Sequence, residues 1–182
     1  MTSESVKTLL KSCGEDVFIS GMAEIKRPEL VEIGNHVAID SFVYISTSAT
    51  IGDYVHISPS VSCIGGKEAK LVLGGFNTIS AGARLICMGD EHLGSGLVGP
   101  MIPKNFADGL IGGELVIEKF ASIATNAVIL PGLKVCEGSV IGAGSVLTCD
   151  AEPWTIYVGI PARPIKKRRS DQMLAFAKEL GY

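Results

Sequence analysis

Aliphatic residues recur at every sixth position along most of this chain. A spacing of six fits neither the spacings of three and four of an amphipathic helix nor the alternation of a half-buried strand. It predicts a short strand and a turn, repeated, with one large apolar side chain per unit in a shared core. This is the pattern of an all-β, parallel β-helix built from hexapeptides. The hexads begin at Ile33, Ile39, Ile45, Ile51 and Ile57, then at Leu73, Ile79 and Leu85, and finally at Ile117, Ile123, Ile129, Val135, Ile141 and Leu147.

The phase of the repeat breaks twice, between Ile57 and Leu73 and between Leu85 and Ile117. Phase breaks in such coils mark loops that leave the coil, often on the binding face. The second break contains the irregular, glycine-rich segment 91–113, and long irregular segments in compact domains are usually functional or disordered. Its apolar residues predict that this protruding loop packs on a partner; they are Leu97, Val98, Met101, Ile102 and Phe106.

We predict a single domain over residues 1–182, because one domain is the prior at this length. Residues 1–32 are expected to cap the coil, with a short helix from Ser5 to Lys11. Residues 33–152 form the β-helix with its loop 91–113, and residues 153–182 form a tail that ends in a helix. Ser170 is the expected N-cap of that helix. Its apolar face, which we expect to pack on the coil or a neighbouring subunit, comprises Met173, Phe176, Ala177 and Leu180.

Composition narrows the functional classes. Hydrophobic residues make up 47% of the chain but aromatic residues only 6%, which suits thin stacked coils. The net charge of −3 gives no global attraction to nucleic acid. No apolar stretch is long enough to predict a membrane span, and the N-terminus does not resemble a signal peptide. The five cysteines are odd in number and lack CxxC spacing, so we expect free thiols in a reducing cytoplasm.

The stretch 126–168 carries a family resemblance. It contains ILPG, GAGSV and GIPARPI followed by basic residues. These motifs resemble the C-terminal part of hexapeptide-repeat acyltransferases, most of all the sugar O-acetyltransferases of the maltose, galactoside and polysaccharide-modifying type. The resemblance implies a left-handed coil with three hexads per turn, a homotrimer with active sites between subunits, acetyl-CoA as donor and no metal.

The same resemblance assigns five cofactor-binding residues by motif position. Thr125, Ala143 and Thr148 fall where relatives contact coenzyme A, the latter two beside the pantetheine arm. Arg163 and Lys166 fall where its phosphates lie, and phosphates require cationic partners. The basic string that follows GIPARPI supports this phosphate-binding role.

His92 is the predicted catalytic base. Transfer of an acetyl group needs a base for the attacking group, and histidine is suited to that role near neutral pH. Of the three histidines, His92 stands at the start of the loop, where the resembling enzymes place their catalytic histidine. His36 and His56 fall at hexad positions expected to face solvent. A residue that orients His92 is also expected, and the sequence leaves three open: Asp90, Glu91 and Glu114.

Four functions are compatible with this scaffold. The favoured one is an acetyl-CoA-dependent O-acetyltransferase whose small-molecule acceptor is a sugar or glycan precursor. The alternative is an N-acetyltransferase for a nucleotide-linked amino sugar. A zinc-dependent carbonic-anhydrase-like trimer ranks low because no two histidines lie close in sequence, as such a site usually requires. A non-catalytic trimeric scaffold is disfavoured by His92 together with the intact C-terminal motif.

Overall fold

Three parallel sheets form the sides of a coil in the computed structural model, which describes residues 6–182. Sheet 1 contains β1 (Ser12–Cys13), β4 (Val31–Ile33), β7 (Ser48–Ile51), β10 (Lys70–Leu73), β15 (Glu114–Ile117) and β18 (Lys134–Val135). Sheet 2 contains β2 (Phe18–Ile19), β5 (Ala38–Ile39), β8 (His56–Ile57), β11 (Thr78–Ile79), β16 (Ser122–Ile123), β19 (Val140–Ile141), β21 (Thr155–Gly159) and β22 (Ala162–Lys167). Sheet 3 contains β3 (Glu24–Ile25), β6 (Tyr44–Ile45), β9 (Ser62–Ile64), β12 (Arg84–Ile86), β17 (Val128–Ile129) and β20 (Val146–Leu147).

The hexad starts form the core of the coil. Every aliphatic residue that opens a predicted hexad is buried, with at most 3% of its surface exposed. The small residues at the fifth hexad position are buried too, and Ser139 and Ser145 keep their hydroxyls hydrogen-bonded. One buried cluster continues along the coil from Val6 to Ala162. The period of six therefore reports one inward side chain per strand, as predicted.

The coil starts earlier than the sequence pattern indicates. β1, β2 and β3 already form a first turn, and β1 pairs in parallel with β4. The segment assigned to an N-terminal cap thus contributes the first strand of each sheet. A single-turn 3₁₀ helix, Pro28–Leu30, shifts the phase before Ile33 and hides this turn from the hexad count. The start of the helix predicted from Ser5 lies outside the described residues.

The three corners of the coil differ in what they carry. The ladder corner joins sheet 1 to sheet 2, the open corner joins sheet 2 to sheet 3, and the loop corner joins sheet 3 back to sheet 1. Within residues 6–182 both phase breaks and the Pro28–Leu30 turn leave the coil at the loop corner. The first phase break corresponds to residues 65–69, a short excursion that Thr47 and Ser48 tie back by donating hydrogen bonds to the Ala69 carbonyl.

Stacked rings fill the ladder corner. Neighbouring rings lie 4.6 to 6.0 Å apart, and each ring residue has a backbone φ between +51° and +62°. Gly138 occupies the same slot one turn before Trp154, and a Cβ there would lie 2.3 Å from the Trp154 ring. Glycine is therefore required for Trp154 to reach Phe120. The stack runs through His36, Tyr54, Phe76, Phe120 and Trp154.

The C-terminal tail closes over sheet 2. β21 continues sheet 2 in parallel, and β22 turns back antiparallel along it. Helix α1 (Asp171–Glu179) follows Ser170, whose side chain makes no capping hydrogen bond. The predicted apolar face of α1 lines a cavity of about 320 Å³ together with Tyr54, Phe76 and Phe120. Between residues 6 and 182, no helix is long and apolar enough to span a membrane.

Candidate functional site

The protruding loop begins and ends as an antiparallel hairpin. β13 (Met88–Asp90) pairs with β14 (Leu110–Gly112), and the Gly113 N–H donates to the Cys87 carbonyl at 2.8 Å. Farther out, a 3₁₀ turn covers Lys104–Phe106, and Leu97 pairs with the strand segment around Ala107. The loop thus has its own hydrogen-bonded frame, although the sequence shows no periodicity there.

A cavity of about 490 Å³ lies within this loop, beside the start of the shorter excursion. Its walls are mainly backbone and apolar side chains, and Gly65 from the shorter excursion contributes to them. Three charged residues also line it: Asp90 from β13, Lys104 and Asp108. A mostly apolar pocket with a few converging polar groups is the usual form of a small-molecule site.

His92 lies just beyond this cavity. It follows β13 by two residues, is exposed, and has a backbone φ of +58°. Its side chain makes no hydrogen bond or ion pair to any other residue in the range 6–182. Of the three predicted orienting candidates, Asp90 is half-buried in the cavity wall, whereas Glu91 and Glu114 are exposed.

The two other histidines each pair with a carboxylate of the preceding turn. His36 Nδ1 lies 3.0 Å from Asp16 Oδ2, and its ring belongs to the stack of the ladder corner. His56 Nε2 lies 2.7 Å from Asp40 Oδ2 on the outer face of sheet 2. Both remain partly exposed, as predicted, and the stack gives His36 a packing role that its hexad position did not reveal.

Three of the five predicted cofactor residues meet at the open corner. Thr125 and Ala143 occupy equivalent positions of successive turns, where the Gly144 N–H donates to the Thr125 carbonyl at 2.9 Å. Arg163 is the second residue of β22 and lies opposite Val158, and the N–H of Gly159, the last residue of β21, donates to Ser145 Oγ at 3.0 Å. The stacking of turns thus brings Thr125 and Arg163, which are 38 residues apart in sequence, to one exposed edge.

The structure places the other two predicted cofactor residues elsewhere. Thr148 directly follows β20, at the loop corner. Lys166 lies opposite Ile156, at the end of sheet 2 nearest the ladder corner. Both are exposed, and neither Arg163 nor Lys166 forms an ion pair among the described residues. Within one subunit the five residues therefore do not form a single cluster.

Three of the five cysteines are poor candidates for an activated nucleophile. Cys63 and Cys87 are buried, and burial raises the pKa of both thiols, that of Cys87 to about 12 although the neighbouring Thr47 hydroxyl lowers it. Burial likewise raises the pKa of Cys136. A thiol with a raised pKa stays protonated and is a poor nucleophile at neutral pH. No disulfide joins two cysteines within residues 6–182.

The described residues offer no grouped ligands for a metal ion. In the part of the chain from residue 6 onward, no three His, Cys, Asp or Glu side chains are grouped so that they could hold a metal ion. His36 and His56 each face a single carboxylate, and His92 faces none.

Comparisons with known proteins agree with this geometry. No family model matches the chain. It is 34% identical over 161 residues to a dTDP-4-amino-4,6-dideoxy-D-glucose acyltransferase of Escherichia coli, covering 87% of this chain and 82% of the relative. A chloramphenicol acetyltransferase of Agrobacterium fabrum is 34% identical over a shorter region, 61% of this chain and 58% of that enzyme.

Solved structures give the same result. AntD, an N-acyltransferase from Bacillus cereus in complex with dTDP and 3-hydroxybutyryl-CoA, superposes with a TM-score of 0.89 at 31% identity. The match covers 100% of this chain and 97% of AntD. A maltose O-acetyltransferase from Clostridium difficile has a TM-score of 0.60 at 19% identity, which shows the shared fold alone.

The fold and the relatives together define an acyltransferase on a left-handed β-helix, so the predicted fold class is confirmed. The chain belongs to the hexapeptide-repeat acyltransferases, as its C-terminal motifs predicted. Its N-terminal turn and its loop, which the motifs do not cover, lie within the region that matches AntD.

Proposed function

We propose that this protein transfers an acyl group from acyl-CoA to the amine of a nucleotide-linked amino sugar. The observation that carries the proposal is the extent of the match to AntD, which includes the protruding loop and nearly all of both chains. An AntD variant has also been solved with dTDP-4-amino-4,6-dideoxyglucose and coenzyme A. The Escherichia coli relative acts on the same amino sugar. Amide formation, our alternative from sequence, thus replaces O-acetylation as the favoured reaction.

The donor is proposed to be acetyl-CoA, bound along the open corner. Arg163 supplies a cation there for the phosphates, and the backbone beside Thr125 and Ala143 is exposed for the pantetheine arm. Thr148 and Lys166 face other sides of the same subunit. They fit the proposal only if two subunits share each donor site, which supports a homotrimer.

The exposed surface of the loop supports the same assembly. Leu97, Met101 and Phe106 are each at least 59% exposed in the single chain. Monomeric proteins rarely expose contiguous apolar patches, and larger ones mark interfaces. We propose that this loop packs on the neighbouring subunit and brings His92 towards a donor site there. A cytoplasmic location stays a prediction from the sequence.

The proposed chemistry is direct transfer. The amine nitrogen attacks the thioester carbonyl, the base accepts a proton from nitrogen, and coenzyme A leaves as the thiol after the tetrahedral intermediate collapses. His92 is the proposed base. Asp90 is the rival for this role because it lies two residues earlier and lines the cavity. The raised pKa values of Cys63 and Cys87 argue against an acyl-enzyme on either thiol.

Two variants separate His92 from Asp90. A general base typically contributes about 10²- to 10⁴-fold to the rate. If His92 is the base, His92→Ala lowers kcat by that factor and leaves only the rising limb of the acceptor amine in the pH profile, while Asp90→Asn has a smaller effect and leaves the profile unchanged. The opposite pattern would assign the base to Asp90. The exposed pair Lys67 and Glu68 offers a control, because Glu68→Gln changes a carboxylate outside the loop.

A second candidate function is acetylation of a sugar hydroxyl, the reaction favoured from the sequence because of the C-terminal motifs ILPG, GAGSV and GIPARPI. Release of coenzyme A should be measured with acetyl-CoA and 3-hydroxybutyryl-CoA against a panel of dTDP-amino sugars, free amino sugars and neutral sugars. The proposal expects turnover with a dTDP-linked amino sugar and little with maltose or galactosides. Turnover confined to neutral sugars would overturn it.

A further inference from the structure

The segment that carries the proposed base, His92, is held at each end by the same short stretch. The Glu91 N–H donates to the Gly109 carbonyl at 2.9 Å. Four residues later, Ser95 Oγ donates to Asp108 Oδ1 at 2.5 Å. Asp108 and Gly109 are adjacent, so residues 91–95 form a small loop that is closed at its neck by two hydrogen bonds.

Asp108 is unusual among the charged residues of this loop because it is only 7% exposed. Its Oδ1 also accepts from the Gly109 N–H at 2.9 Å, and its own N–H donates to the Leu97 carbonyl at 3.0 Å. Its Oδ2 is buried without a hydrogen-bond partner of standard geometry in the described chain. A buried carboxylate costs free energy unless its surroundings compensate, so its presence in an exposed loop calls for a specific role.

The surroundings of Asp108 favour its charged form. The Ser95 hydroxyl contributes most to lowering the pKa of Asp108, and the N–H groups of Gly109, Gly94 and Leu93 add to it. Two of these N–H groups belong to the residues directly after His92. A charged acceptor forms stronger hydrogen bonds than a neutral one, so the carboxylate can hold the turn that follows His92.

His92 depends on this turn for its direction. Its exposed side chain contacts no partner in the described chain, and its φ of +58° is uncommon for a residue other than glycine. The backbone at Gly109 also lies close to this turn, since a Cβ at Gly109 would lie 2.5 Å from Glu91 Oε2. The backbone of residues 91–95 is therefore the element that sets where the imidazole projects.

From this geometry we propose that Asp108 is a positioning residue for acyl transfer. Through Ser95 and the adjoining backbone it holds segment 91–95 in one shape, and that shape aims His92 at the reacting amine. The inference rests on the proposed function because its effect is measured as acyl transfer. It does not depend on whether the acceptor is an amine or a hydroxyl, since either needs a positioned base.

The test compares kcat and the KM for acyl-CoA in three loop variants, using whichever acceptor the wild type turns over fastest. Misplacement of a catalytic group by about 1 Å can lower the rate about 100-fold. We expect Ser95→Ala and Asp108→Asn to lower kcat by between about 10- and 100-fold, with the KM for acyl-CoA unchanged. Ser95→Thr keeps the hydroxyl and should retain most of the activity.

Thr50→Ala is the matched control, because it removes another hydroxyl that donates to a carboxylate, Glu32, on sheet 1 at 3.3 Å. Its kcat should equal that of the wild type. Hydrogen–deuterium exchange of residues 92–96 should be faster in Ser95→Ala and Asp108→Asn and unchanged in Thr50→Ala. This exchange measurement keeps the comparison valid if one loop variant assembles poorly.

Several results would overturn the inference. Faster exchange with unchanged kcat would show that Asp108 orders the loop without serving the reaction. A raised KM for acyl-CoA at unchanged kcat would make it a binding residue instead, and an equal loss in Thr50→Ala would show a general effect on folding. A wild type that uses only hydroxyl acceptors would refute the proposed function and leave the kcat ratios of the variants as the test of Asp108.

Discussion

The ladder corner and the open corner are both formed at the same position of the hexad, but they carry opposite kinds of side chain. Both have residues with positive φ at the fourth hexad position. At the ladder corner this slot mostly carries a stacked ring, from His36 to Trp154. At the open corner the corresponding slots in the later turns carry Ser60, Gly82, Asn126 and Gly144.

The difference shows how one repeat forms a packed corner and an exposed corner. Stacked rings offset the strain of the left-handed backbone with aromatic contacts, each worth about 1 kcal/mol. Small residues at the open corner leave the backbone near Thr125 and Ala143 accessible. The later turns are thus closed by packing at one edge and exposed at another, and the tail places Arg163 beside the exposed edge.

The largest expected effect is a loss of stability on replacing one of two glycines that have the same backbone conformation. Gly138 has a φ of +66° and Gly144 of +65°, so an alanine at either position incurs the same backbone strain. A Cβ at Gly138 collides with Trp154, whereas one at Gly144 has nothing within 4 Å. We expect Gly138→Ala to lower the free energy of unfolding by about 3 kcal/mol and Gly144→Ala by about 1 kcal/mol. Chemical denaturation measures both, and equal losses would refute the packing account of the ladder corner.

The next prediction concerns the cation at the open corner. Hydrogen bonds to charged groups contribute about 1.5–3 kcal/mol, and 1.4 kcal/mol corresponds to a factor of ten in affinity. Arg163→Ala should therefore raise the KM for acetyl-CoA about tenfold, and Lys166→Ala should raise it less, because Lys166 lies at the far end of sheet 2. Steady-state kinetics and coenzyme A binding measure this, with Lys67→Ala as an exposed control. Unaltered affinity in Arg163→Ala would remove phosphate binding from this corner.

A smaller effect distinguishes stacked from exposed aromatic residues. Phe76 stacks between Tyr54 and Phe120 at 4.9 and 5.1 Å, whereas Phe42 in the equivalent slot of the open corner is 64% exposed. Phe76→Leu should cost about 1 kcal/mol of stability, and Phe42→Leu should change stability by less than about 0.5 kcal/mol. Thermal unfolding of the two variants provides the comparison. A larger loss in Phe42→Leu would reverse our assignment of the two corners.

The smallest predicted effect is the pH dependence of stability that arises from Glu118 at the ladder corner. Lys134, 2.6 Å away, contributes most to lowering the pKa of Glu118, and the Glu137 N–H adds to it. Because the folded-state pKa is below the unfolded one, Glu118 stabilises the protein above the unfolded value and loses this effect as pH falls through the folded value. Glu118→Gln should flatten the decline of the melting temperature below about pH 4.5. Glu114→Gln, whose carboxylate lies 3.7 Å from Lys70, is the control, and an identical decline in Glu118→Gln and wild type would contradict the assignment.

Much of the fold could be predicted because one inward side chain per strand imprints a period of six. The prediction failed at the first turn, where the 3₁₀ turn Pro28–Leu30 shifts the phase and Cys13 takes the place of an aliphatic residue. The ladder corner was also missed. Its rings lie 18 to 44 residues apart in sequence, and only the stacking of turns brings them together.

The candidate site was less predictable than the fold. The C-terminal motifs indicated Thr125, Ala143 and Arg163, which do meet at one corner, but they could not show that Thr148 and Lys166 face other sides. Asp108 carried no signal, because burial of a carboxylate inside a glycine-rich loop depends on hydrogen bonds made within that loop. The residue type and position of His92 indicated it as a candidate base from the sequence. Its exposure and its backbone conformation could be seen only in the structure.

The linkage in the reaction product tests the central claim most directly. Acetyl-CoA should be supplied with dTDP-4-amino-4,6-dideoxyglucose and, separately, with the same nucleotide sugar carrying a hydroxyl in place of the amine. Mass spectrometry with alkaline hydrolysis distinguishes an amide from an ester. Our account predicts a single alkali-stable amide on the amino sugar and no product from the hydroxyl analogue. An alkali-labile ester, or equal acetylation of the hydroxyl analogue, would contradict it.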